Sequence, residues 1–390
     1  MFRALAPLPG ARLPRTATAP ATVEKLGPPG AFRRGGLVVL RAAEVGAAGA
    51  AVEPEAISLL NPYLRARVYP ALGGRIGELV AASDGRDVLR FEARLVPGEG
   101  TLDLGGALDD FDDGASLAAI PTARFRARRA GRTSRAAGVV LAHRDRKERR
   151  RLVREVELLA DAPVALVRFA VGVLPRPARP PGGFGSRAGR PGPAYAPQIA
   201  LAPGDDEEPG LDLVVPTATG VERWAHVADG PVHVPVRPCE TRVFRGLTAG
   251  YVAATAVSGA TTVLVLPERP RGAVGNVEAL SYPSRLDLYP FFRARRARPG
   301  APARHAWALA TGERALLDAR GFVVAARDAT GRRLALVARR AGTTRASLVV
   351  RVEVDGAARD VVLARREVEG LGPLFVGRLG IGPSERFSLI

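Results

Sequence analysis

Cysteine is almost missing from the 390-residue chain: Cys239 stands alone, which excludes an intramolecular disulfide framework and any multi-cysteine zinc or iron–sulfur centre. Four histidines leave little material for a histidine-rich metal site. Lysine is equally scarce. Only Lys25 and Lys147 occur, so 55 of the 57 basic residues are arginines. Aromatic residues make up 5% of the chain, and no apolar run approaches the roughly 18 residues that a membrane-spanning helix requires. The first 35 residues carry arginine and proline but no apolar core of the secretory-signal kind, so the expectation is a cytoplasmic protein. Three further absences exclude function classes. There is no glycine-rich phosphate loop ending in Lys-Ser or Lys-Thr, no nucleophile elbow and no dinucleotide fingerprint in a strand–turn–helix context. Neither a cofactor nor a bound metal is expected.

What is present is a globular composition, 47% hydrophobic and 25% charged, with 44 glycines and 33 prolines. The formal charge is +18 and the isoelectric point near 11.3. An arginine-rich, lysine-poor chain is what GC-rich codons produce without a ligand. The functional alternative is an anionic partner, because guanidinium forks suit carboxylate, sulfate and phosphate. Distribution separates the two better than the total does. Residues 124–154 hold 13 basic residues against Asp145 and Glu148, the one real charge cluster. An acidic polymer fits that cluster. Nucleic acid is disfavoured, since no RNA- or DNA-reading motif accompanies it.

Short apolar runs punctuated by Gly, Pro and Asp dominate from residue 52 onward and predict an all-β chain. Leu64-Arg65-Ala66-Arg67-Val68-Tyr69 alternates, and so does Thr122-Ala123-Arg124-Phe125-Arg126-Ala127-Arg128. Period-two alternation of this kind marks half-buried strands of antiparallel sheets. Leu152-Val153-Arg154-Glu155-Val156-Glu157-Leu158 reads as another strand, with Arg154 and one of the two glutamates on its outward face. Three regions are expected: an irregular N-terminal arm over residues 1–50, a large antiparallel β-supersandwich over 51–315, and a small immunoglobulin-like β-sandwich over 316–390. Residues 174–210 are a Pro/Gly-rich loop whose acidic tip, Asp205-Asp206-Glu207-Glu208, lacks the ligand spacing of a calcium loop.

One stretch carries a family resemblance. Asn61-Pro62-Tyr63-Leu64-Arg65-Ala66-Arg67-Val68-Tyr69-Pro70-Ala71-Leu72-Gly73-Gly74-Arg75-Ile76-Gly77-Glu78-Leu79, followed by Asp84-Gly85-Arg86-Asp87-Val88-Leu89, resembles the opening of galactose-mutarotase-like domains. Leu104-Gly105-Gly106-Ala107-Leu108-Asp109-Asp110-Phe111 and the pair of strands over 152–173 resemble later parts of them, and Arg298-Pro299-Gly300 with Trp307 their closing strand. The resemblance covers about residues 52–315. It implies two large sheets face to face with a carbohydrate groove on a concave side, and a carbohydrate as ligand. It also implies, for the epimerases among these proteins, a histidine acid and a glutamate base acting across a sugar ring. Their His-Pro-Tyr-Phe motif has no counterpart here; Gly192-Pro193-Ala194-Tyr195-Ala196-Pro197 stands in its place without a histidine.

Candidate groups for the chemistry follow from ionisable residues on turns and strand ends. His226 and His233 flank Asp229, with Glu222 four residues before His226, so a hairpin would let the histidines face each other. Asp109, Asp110, Asp112 and Asp113 form an acidic loop able to hydrogen-bond hydroxyls or supply carboxylates. Glu278 precedes Arg285 and Asp287. The candidate catalytic set is therefore His226 or His233 as acid with Glu222, Asp109 or Glu278 as base. Arg75, Asp110, Trp224, Tyr282 and Arg285 are candidates for holding the sugar, and Tyr289 and Trp307 are further aromatic platforms. Arg75, at the start of a strand after paired glycines, either clamps a ligand or braces the sheet. A sugar-binding or scaffold protein without catalysis remains the competing reading.

Overall fold

A computed structural model describes residues 24–25, 32–34, 37–39, 56–96, 101–109, 111–112, 123–132, 136–145, 150–173, 194–202, 210–227, 240–268, 274–282, 285–292 and 301–390. Among them there is no α-helix, and none that is long and apolar enough to cross a membrane. His233, Asp110, Asp113, Asp229, Cys239 and the acidic tip at 205–208 lie outside the described residues. Glu24–Lys25, Phe32–Arg34 and Leu37–Val39 pair into a small three-stranded sheet.

Two broad antiparallel sheets follow. The front sheet runs, in spatial order, through Phe111–Asp112, Ala194–Tyr195, Arg285–Phe292, Gln198–Leu201, Ala107–Leu108, Arg75–Ala81, Leu64–Tyr69 and Ile57–Leu60. Val274–Tyr282 and Glu240–Arg245 extend it beside Arg285–Phe292. The middle sheet runs Arg126–Arg132, Ala136–Asp145, Arg150–Leu159, Val164–Val173, Ala303–Gly312, Thr261–Val265, Tyr251–Ala256, Gly210–Thr217 and Gly220–Val227. Alternation decides which side chains enter the space between them. Leu64, Ala66 and Val68 meet Val156, Leu158, Val167, Phe169 and Leu309 in one shared apolar core.

The same alternation corrects one expectation. Arg154 lies in register with Leu152, Val156 and Leu158, so it points into the core, with its side chain 0% exposed, and not outward. Glu155 and Glu157 take the outward face, where Arg168 pairs with both at 3.1 and 2.9 Å.

The turn between Leu64–Tyr69 and Arg75–Ala81 needs left-handed backbone at two successive residues, and Gly73 and Gly74 adopt φ of 74° and 67°. It is pinned by Gly73 N donating to Ala123 O at 2.9 Å, which ties the front sheet to the segment entering the middle sheet.

The last seven strands, Arg314–Asp318 to Phe387–Leu389, form a single antiparallel sheet. It curls so that its first and last strands pack together around Leu336, Val352, Leu363 and Phe375. Its other face lies on the outer side of the middle sheet. Phe322, Val324, Val337 and Leu374 pack there against Leu166, Tyr251, Val263, Ala306 and Ala308, making a third layer. Arg339 rivets this junction with no side-chain exposure. It donates to Leu266 O at 2.5 Å, to Leu371 O at 2.7 Å and to Glu268 Oε1 at 3.3 Å.

Candidate functional site

On the outer face of the front sheet, the side away from the shared core, a set of polar side chains gathers, most of them buried. Core residues fix which side chains reach it. Leu286 and Leu288 point inward, so Arg285 and Asp287 point out; Ile199 and Leu201 do the same for Gln198. Arg285 grips Asp287 twice, Nε to Oδ1 and Nη2 to Oδ2, both at 2.7 Å, with neither side chain exposed. Gln198 donates to the same carboxylate at 3.0 Å. Tyr282, across the strand from Arg285, lies with its ring 5.2 Å from the guanidinium carbon.

Arg75 joins the group from the neighbouring hairpin. It donates to Leu72 O at 3.1 Å and to Gly105 O, and its guanidinium stands 6.0 Å from the Phe91 ring. Gly105 is the meeting point of two guanidiniums. Its φ is +63°, and a Cβ there would lie 2.8 Å from Arg285 Nη1 and 2.4 Å from Arg90 O, so only glycine fits. Beside them Glu78 receives Arg67 at 3.1 Å, Tyr69 Oη at 3.2 Å and Arg65 at 3.4 Å. Burial draws the Arg65 guanidinium below its ordinary value, with Glu78 opposing, and burial followed by the Glu78 charge pushes the Tyr69 phenol up. Tyr69 therefore stays a neutral donor at any ordinary pH.

Of the residues singled out from sequence, Arg75, Tyr282, Arg285 and Glu278 share this face. Glu278 is half-buried opposite Tyr289, one row along from the Leu280–Asp287 pair. His226, Trp224 and Glu222 lie elsewhere, at the end of the middle sheet. There His226 Nδ1 is 2.6 Å from Ser281 Oγ, Trp224 Nε1 donates to Glu240 at 3.1 Å, and Glu222 stands 3.7 Å from Arg242.

Asp109 lies in the core, 1% exposed. It pairs with Arg154 at 2.8 Å and accepts from Tyr195 Oη, which in turn accepts from Trp307 Nε1 at 3.0 Å. Burial raises Asp109 above the ordinary carboxylate range while Arg154 opposes it; Tyr195 is raised by burial and then by Asp109. Trp307, proposed as a platform, is thus a core residue that braces a polar bridge between two sheets.

Sequence reasoning missed Gln198, Glu78 and the trio Arg65, Arg67 and Tyr69. The trio had a usable signal: three polar side chains on one face of an alternating strand. Gln198 had none, because its partner Asp287 is 89 residues away.

No family model matches the chain, and no curated protein sequence matches it. Solved structures do. The fold is similar to that of galactose mutarotase-like proteins. One, from Lactobacillus casei, is 12% identical, with 66% of this chain and 99% of that one covered and a TM-score of 0.41. Another, from Clostridium acetobutylicum, is 11% identical over 66% and 95%, also at 0.41. A TPR-domain-containing protein from Parabacteroides distasonis is 14% identical over 67% of this chain at 0.45; the match spans 48% of that protein, about half its length.

Proposed function

We propose that this protein binds a carbohydrate on the outer face of the front sheet. The observation that carries the reading is the Arg285–Asp287–Gln198 cluster beside Arg75, with both ion-pair partners fully buried on the sheet face that the core does not use. Taking a guanidinium and a carboxylate out of water costs several kcal/mol. Apolar packing would hold this surface without that cost. A fixed set of donors and acceptors suits a ligand covered in hydroxyls. The buried cluster holds the sheet face rigid from beneath, and the half-buried Arg67, Glu278 and Tyr289 on the same face are the side chains that would reach such a ligand.

The acid/base version requires a proton donor and acceptor on either side of one ring. His226 and Glu222 lie at the far end of the middle sheet, Asp109 in the core and Glu278 on the outer face. Binding without ring chemistry is the version this placement favours.

Calorimetric and NMR titration with a panel of mono- and oligosaccharides tests the reading. Gln198→Met keeps the volume and removes the donor to the buried Asp287; it is expected to cost about 1–3 kcal/mol of stability and, measured at a temperature where the variant is fully folded, to weaken binding about tenfold. Absence of binding across the panel, or equal affinity in Gln198→Met, would overturn it. Polarimetry of the same sugars separates binding from ring opening.

A further inference from the structure

The outer face of the middle sheet is covered by the C-terminal sheet over only part of its width. At the other end, register places side chains in rows across the strands. One row reads Arg126, Ala142, Val153, Ala170, Arg304, spanning five strands. The row beside it reads Arg144, Arg151, Gly172. At about 4.8 Å per strand the first row is roughly 19 Å long. Its middle is a strip of small and β-branched apolar residues, half-buried, with exposed arginines at both ends and along one side.

Among the described residues these arginines have little acidic company. Arg144 and Arg151 stand directly opposite each other on adjacent strands, an arrangement that disfavours the sheet. No carboxylate among the described residues pairs with Arg126, Arg144 or Arg151. The two nearest outward glutamates, Glu155 and Glu157, are already engaged by Arg168. Arg304 has only an exposed contact with Glu369 at 3.4 Å. Arg124 and Arg128 add exposed guanidiniums at the same edge.

We propose that this strip docks an acidic polysaccharide of the carboxylated kind. A pyranose chain presents apolar C–H faces, which fit the Ala142–Val153–Ala170 floor, and carboxylates at its edges, which fit planar guanidinium forks. Single-stranded nucleic acid calls in addition for exposed rings on which bases stack. Among the described residues the rings at this edge are Phe125, which is buried, and His143, tilted against it with centroids 5.3 Å apart. The site is on the opposite side of the molecule from the front-sheet cluster and stands independently of it.

Fluorescence anisotropy with labelled polygalacturonate, neutral dextran, single-stranded DNA and duplex DNA, each over a salt series, tests the assignment on the full chain. The triple variant Arg126→Glu/Arg144→Glu/Arg151→Glu is compared with Arg340→Glu/Arg345→Glu/Arg378→Glu, which changes net charge equally at exposed positions of the C-terminal sheet. Wild type is expected to bind polygalacturonate with a steep salt dependence and to ignore dextran. The strip variant should lose at least about tenfold in affinity and lower the salt slope by about three, while the control stays within about threefold. The milder Arg126→Gln/Arg144→Gln/Arg151→Gln set should fall between. Equal loss in both charge-reversed variants, no binding of polygalacturonate, or tighter binding of either DNA would overturn the proposal.

Discussion

Arg154→Met is the most informative single perturbation of the fold, because it removes one half of an ion pair that links the two sheets through their core. Arg154 and Asp109 are 2.8 Å apart with side-chain exposures of 0 and 2%, and Arg154 also donates to Ala107 O at 3.0 Å. At an effective dielectric near 20 the attraction alone is about 6 kcal/mol, offset by the desolvation of both groups. Removing one partner leaves a buried carboxylate with only neutral donors, Tyr195 and Trp307, beside it, and the expected loss is about 3–5 kcal/mol. With roughly 2.1 cal/mol/K of unfolding entropy per residue, that is a fall of about 4–6 °C in melting temperature.

The pH dependence is diagnostic. Asp109 is raised above its unfolded value, so its protonation favours the folded state. That contribution is present below the unfolded value and is lost as pH rises through the folded one. Losing Arg154 lifts Asp109 further, so the variant's deficit should be largest near neutrality and narrow on acidification. Asp109→Asn/Arg154→Met, which removes both charges, should recover much of the loss. Calorimetric scans at several pH values between about 4 and 8 decide it. A deficit under about 1 kcal/mol, or one constant with pH, would refute the reasoning.

Other outcomes follow from the same geometry. Arg339→Met strips Leu266 O, Leu371 O and Glu268 of their shared donor and should cost about 2–4 kcal/mol in urea unfolding, with earlier proteolytic release of the C-terminal sheet. A chain ended at Gly312 would expose Tyr251, Val263, Ala306 and Ala308, and is expected to self-associate in sedimentation velocity runs and to bind ANS. Gly105→Ala forces a side chain into left-handed backbone and onto Arg285 Nη1. It should destabilise by about 1–3 kcal/mol and weaken saccharide binding further than its stability loss accounts for, as titration at low temperature would show.

Local pattern was enough for part of this architecture. Alternation over Leu64–Tyr69 and the Gly73–Gly74 turn announced strand, turn and strand, since side-chain direction and left-handed backbone are properties of neighbouring residues. The arginine-rich character of residues 124–154 was likewise plain from composition. The face that each arginine takes was not. Arg154 looked like one more surface charge, yet the row of Leu152, Val156 and Leu158 carries it into the core, where only a residue from another sheet, Asp109, makes its burial tolerable.

The candidate site divides in the same way. Arg285 and Asp287 are two residues apart on one strand, so their pairing is nearly local, and Tyr282 is their hairpin neighbour. Arg75 and Gln198 arrive from strands far off in the chain, brought in by Gly105 and by sheet order. His226 illustrates the converse: near Glu222 in sequence, it takes Ser281 as partner because the front sheet ends there. The sequence by itself determined strand content, turns and the chemical character of each segment, because these depend on a few adjacent residues. Which charges meet and which face solvent was decided only by the stacking of three sheets, because a side chain's partners across a layer come from strands the local pattern cannot see.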